Sequence, residues 1–176
     1  MPKTMADVEL LTYSTEHVYY EVKMFFWLAV ALARRTMTVR TATPDDALWL
    51  RNTLIEGFAI HLRNLLEFIF LNYPKGGHII AAQFCQPEKW TKQRPALSET
   101  LKKSWERADK QVAHLLSKRI AGRDPGKRWN FIGIADETAS ILCLLVSNAE
   151  PCRFSHKVAR VLKEYEAVRR RETQGD

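Results

Sequence analysis

The chain has 176 residues, 46% of them apolar and 27% charged, with seven Gly, seven Pro and three Cys. That excludes a disordered or fibrous chain and a disulfide-stapled miniature, and it leaves room for one well-filled core rather than two. The formal net charge of +7 permits an anionic partner such as nucleic acid without requiring one.

In chain order, a first helix is expected over Thr15 to Arg35, with a start as early as Asp7 left open. Val18, Val22, Phe25, Ala29 and Leu32 recur at helical spacing, and Arg34 and Arg35 suit a helix C-terminus. "TPDD" then starts a second helix, Pro44 to about Leu71: Thr43 is the N-cap, Pro44 the first helical residue, and Asp45 and Asp46 the first turn. Its apolar stripe is Ile55, Phe58, Leu62, Leu65 and Ile69. Ile60, Phe70 and Leu71 fall outside that stripe, which points to a central helix of a bundle.

Asn72 to Leu97 carries three Pro and two Gly and reads as a long loop segment. So long a loop without structure of its own is unusual. "HIIAAQFC" (His78 to Cys85) is therefore expected as a short helix or extended piece on the bundle, with Trp90 as an anchor. Ser98 caps a third helix to Ile120, with Leu101, Trp105, Val112, Leu115 and Leu116 inward. Asn130 caps a fourth, Phe131 to Ala149, with Ile134, Thr138, Ile141, Leu142 and Leu145 inward. Ser155 caps a fifth to about Arg170, with Val158, Leu162, Tyr165 and Val168 inward. The fold class is all-α: a single-domain bundle of four to five main helices, with a long loop segment between the second and third. Residues 1–5 and 171–176 are expected to be flexible tails.

No secretory leader is read, because Asp7, Glu9 and Glu16 interrupt the start. The longest apolar run, "MFFWLAVALA", has ten residues, and a membrane span needs about twenty. Cys85, Cys143 and Cys152 form no CxxC pair. The expectation is a cytoplasmic protein of bacterial type with no membrane association, no metal and no cofactor.

Two constellations could carry chemistry. The first is "EGFAIHLRNLLEF", Glu56 to Phe68 on the second helix. At about 100° per residue, His61 lies on the edge of the apolar stripe with Asn64 further round, while Glu56, Arg63 and Glu67 share the other side. Gly57 costs about 1 kcal/mol against Ala in mid-helix and opens space beside His61. Either another helix packs closely there, with His61 and Asn64 hydrogen-bonded to a loop carbonyl, or His61, Asn64, Arg63 and Glu56 form a binding site for a ligand or protein partner. The second constellation is on the third helix. Lys103, Arg107, Lys110, His114 and Lys118 recur at helical spacing opposite Leu101, Trp105 and Val112, and Arg119, Arg123, Lys127 and Arg128 extend the charge into the following loop. This is either an ordinary solvated face or a surface that tracks phosphates.

Within that stripe, "RADKQVAH" places Arg107 and His114 two helical turns apart. An imidazole moves a proton near neutral pH, and a guanidinium holds a phosphate and stabilises transition-state charge. A helical bundle with an Arg followed a few residues later by a His on a late helix resembles the HEPN superfamily. Many of its members are metal-independent ribonucleases of toxin–antitoxin or defence systems, acting as homodimers. The resemblance implies RNA or nucleotide binding, with His114 as acid/base and Arg107 as phosphate clamp. Ala108 stands where that motif usually has a polar residue. "EGFAIHLRNLLEF" is also similar to small uncharacterised bacterial helical proteins, which implies no activity. The alternative function is a non-catalytic helical interaction or structural module.

Overall fold

A computed structural model describes residues 5–36, 43–74, 77–113 and 129–174. The architecture is an all-helical bundle; among the described residues there is no strand, and the one β-type contact is the Cys85–Ala149 bridge.

The first helical rod is built from α1 (Asp7–Tyr13), a π-helical turn (Ser14–Val18) and α2 (Tyr19–Arg34). Glu9 reaches back to the Ala6 N–H at 2.7 Å and holds the start. The π turn has a local cause. Ser14 is buried and accepts from the Ser155 N–H at 2.9 Å, while its hydroxyl lies 2.9 Å from the Leu11 carbonyl and 3.2 Å from that of Arg153. The extra backbone in this turn is stapled to the chain entering the last helix. Arg35 ends the rod in the left-handed region at φ 53, donating its N–H to the Ala31 carbonyl.

The central helix is α3 (Pro44–Phe70). Thr43 and Asp46 cap it reciprocally: the Thr43 N–H donates to the Asp46 carboxylate at 2.9 Å, and the Asp46 N–H to the Thr43 hydroxyl at 3.3 Å. Phe58, Leu62, Leu65 and Ile69 are buried as their spacing predicts, and Phe58 meets Phe25, Phe131 and Trp129 at ring-centroid distances of 5.2, 5.1 and 5.5 Å. Ile60, expected to face a further neighbour, is exposed. Gly57 is where α3 passes α2: a Cβ there would meet the Leu28 side chain at 3.4 Å. α2 therefore lies against Gly57 at a distance that an added Cβ would just reach.

After α3 a 3₁₀ turn (Ala81–Phe84) and α4 (Pro87–Gln93) fold back onto the bundle, with Trp90 and Phe84 buried. The segment between the second and third main helices is therefore structured, and Trp90 anchors it as its size and apolar surface predict. Ser98 caps α5 (Glu99–Ala113), accepting from the Leu101 N–H at 3.1 Å. The expected continuation to Ile120 lies outside the described residues. Leu101, Ser104 and Ala108 are buried along α5, and Trp105 is half-buried.

Asn130 caps α6 (Phe131–Asn148) through the Gly133 N–H at 3.0 Å. This helix is long and apolar enough to cross a membrane by length and composition; half of it is buried here, packed on α2, α5 and α7. The last helix, α7 (His156–Gln174), runs further than expected. Residues 171–174 are helix rather than tail, because Glu172 is tied to Arg34 at 2.6 Å and to Arg169 at 2.5 Å. Arg169 also grips Asp136 through both carboxylate oxygens at 3.0 Å, and the Tyr165 hydroxyl donates to Asp136 at 2.6 Å. Burial works to raise the Asp136 carboxyl, but the Arg169 and Tyr165 hydrogen bonds outweigh it and hold it below its ordinary value.

Candidate anion-binding cleft

The four polar residues singled out on α3 do not converge. His61 is 9% exposed, and its Nδ1–H donates to the Glu21 carboxylate on α2 at 2.7 Å, with the Tyr20 ring edge-on at 5.6 Å. Its partner is a carboxylate of the neighbouring helix, not a loop carbonyl. Arg63 turns the other way and bridges Glu67 and Asp109, both at 2.9 Å, tying α3 to α5; His78 lies 3.6 Å from Glu67. Glu56 and Asn64 are exposed. These are two helix–helix links and two surface positions, with no shared cavity.

On α5, Lys103 and Lys110 are exposed as expected, and Lys110 lies 3.9 Å from Glu106. Arg107 departs from the stripe. It turns inward, and its guanidinium lies over the Trp129 ring at 4.2 Å. Its Nε is buried and lacks a hydrogen-bond partner among the described residues, as does the Trp129 indole N–H. Burial draws the Arg107 guanidinium below its ordinary pKa. His114, Lys118, Arg119, Arg123, Lys127 and Arg128 lie outside the described residues.

Arg107 and Trp129 wall a cleft of about 770 Å³, within the size range of small-molecule sites. Arg35, at the end of α2, and Arg51, on the second turn of α3, line it as well. Its floor is apolar, from Leu32, Leu54, Ile55 and Phe131, and the first residues of α6 open onto it. Among the described residues, no Asp or Glu lines it, and none of its three arginines has a carboxylate partner. Arg35 and Arg51 are exposed and Arg107 is partly buried, so the cleft gathers positive charge where water still reaches it. Each orphaned buried donor costs about 1–3 kcal/mol. An anion entering the cleft would meet guanidinium groups, which match phosphate and carboxylate oxygens bidentately, and a helix N-terminus, which adds positive potential.

Helix order explains the gathering. The antiparallel packing of α2 on α3 brings Arg35 and Arg51 to one end of the bundle, and the start of α6 and the second half of α5 meet there. In sequence, Arg35 reads as a helix terminator, and neither Arg51 nor Trp129 stands out. No local sequence signal marks them; the left-handed cap of Arg35, at φ 53, is visible only in the structure.

Among the described residues no group of His, Cys, Asp and Glu could hold a metal ion. No family model matches the chain, and no curated protein or solved structure shows significant similarity to it.

Proposed function

We propose that this protein binds RNA, with Arg35, Arg51 and Arg107 taking a phosphate in the cleft. The observation that carries this reading is three arginines on one cleft without a carboxylate among its described walls. Exposed Lys103 and Lys110 on α5, together with the net charge of +7, would guide the chain of phosphates toward it. The finer form of the reading is a HEPN-like, metal-independent ribonuclease acting as a homodimer, with Arg107 as phosphate clamp and His114 as acid/base. A guanidinium stacked on an indole is already oriented for the clamp role.

Two measurements test it. Fluorescence anisotropy with a labelled oligoribonucleotide should show affinity that falls with salt, with the slope reduced by about 1 for each cleft arginine removed. Equal affinity in the parent and an Arg35, Arg51, Arg107 triple variant would overturn the site. Incubation with labelled RNA in EDTA, parent beside His114→Ala, tests cleavage; equal and negligible cleavage by both would remove the enzyme claim and leave binding.

A second reading, a non-catalytic interaction module, is favoured by Tyr20 and Trp27, seven residues apart on α2 and 53% and 47% exposed. Aromatic residues of this kind concentrate at protein interfaces. Loss of a co-purifying protein on Trp27→Ser, with RNA affinity unchanged, would support that reading instead.

A further inference from the structure

We infer that the cleft selects a terminal phosphate, a phosphomonoester dianion carried on a nucleoside or at the 5′ end of RNA, over the internal diesters of a chain. This deepens the RNA reading and rests on the same cleft. A monoester carries nearly two negative charges at neutral pH and three outer oxygens, whereas a diester carries one charge and two free oxygens. The cleft offers three guanidinium groups, and the N-terminus of an 18-residue helix opens onto it.

Arg107 is fixed from one side by its stack on Trp129, and Trp129 is in turn backed by Phe131 and Phe58 at ring-centroid distances of 6.4 and 5.5 Å. Asn130 caps Gly133, the third residue of α6, so its side chain satisfies one helix-end donor and leaves the N–H groups of Phe131 and Ile132 available where both residues line the cleft. The apolar floor offers a surface for the attached ribose or base.

The test has two arms. In the first, the melting temperature of the full chain is followed with adenosine 5′-monophosphate, adenosine and inorganic phosphate at equal concentration. In the second, anisotropy compares one oligoribonucleotide with a 5′-phosphate and with a 5′-hydroxyl. We expect the nucleotide to stabilise where adenosine does not, and the 5′-phosphate to tighten RNA binding on the order of tenfold. The Arg35→Gly, Arg51→Gln double variant should abolish both differences and melt within a few degrees of the parent, since both side chains are exposed and Gly suits the left-handed cap. RNA that binds equally with either end overturns the inference and leaves RNA binding intact. A nucleotide that binds without RNA keeps the inference and removes the RNA reading. A 5′-phosphate preference that survives in the double variant, or no response to any phosphate, also overturns it.

Discussion

Arg34 and Arg35 are neighbours in sequence and opposite in treatment. Arg34 joins a latch in which Glu172, Arg169, Asp136 and Tyr165 satisfy one another between α2, α6 and α7. Arg35, turned away by its left-handed backbone, faces a cleft where three guanidinium groups have no described acidic partner. The latch is made of charges that the fold has already answered. The cleft is made of charges that no described carboxylate answers. Removing members of the first should cost stability, and removing members of the second should cost binding.

The largest expected effect is on the cleft. The Arg35→Gly, Arg51→Gln, Arg107→Met variant should lose about a hundredfold in RNA affinity at low salt, while its melting temperature holds or rises. Met keeps contact with the Trp129 ring without burying a charge there. A large fall in melting temperature would show that these arginines are structural after all.

His61→Ala comes next. It leaves the Glu21 carboxylate partly buried without its partner and should cost about 1–3 kcal/mol in urea unfolding. RNA affinity should stay at the parental value. A loss of binding without a loss of stability would return the α3 polar residues to candidacy as a site.

The latch should yield about 1 kcal/mol for Asp136→Asn, a modest figure because the Asp136 side chain is 45% exposed and its pairing is screened. The pH dependence follows from sign. A carboxyl held below its ordinary value of 3.8 stabilises the fold above that pH, and the contribution is lost as pH falls through the folded-state value. The gap between parent and Asp136→Asn should therefore be constant at neutral pH and close below about pH 4. A gap that persists into stronger acid would mean that Asp136 acts through packing. Glu172 should add to the same acid loss: burial pushes its carboxyl up, and the hydrogen bonds from Arg34 and Arg169 carry it below its ordinary 4.5.

The smallest effect is expected at Gly57→Ala, where a Cβ meets Leu28 at ordinary contact distance: between no change and a gain of about 1 kcal/mol. A loss above 1 kcal/mol would show that the α2–α3 approach is tighter than this contact implies.

The helices were legible because their signals are local. Thr43, Ser98 and Asn130 cap as their positions in sequence predict, and the apolar periods of α2, α3 and α6 mark the residues that are buried. The end of α7 was missed because "RRRETQ" is polar all round; Arg34 and Arg169 hold Glu172 there through contacts that no window of sequence displays. The cleft was hidden for the same reason. Its arginines come from α2, α3 and α5, and only the packing of those helices gathers them. Type and spacing mark Arg107 as a candidate phosphate ligand, but periodicity assigns it to a solvated face, because helical angle does not say which way a long side chain folds on the helix flank. Its partner in that motif, His114, lies outside the described residues.

The central claim is that Arg107 takes the phosphate of the RNA, and its guanidinium Nη–H signal reports on this directly. In a ¹⁵N-labelled chain, with the resonance assigned by its loss in Arg107→Met, titration with a 5′-phosphorylated oligoribonucleotide should shift that signal downfield in a saturable way and slow its exchange with water. A signal that stays in place while the RNA binds would put the phosphate elsewhere on the molecule and contradict the account.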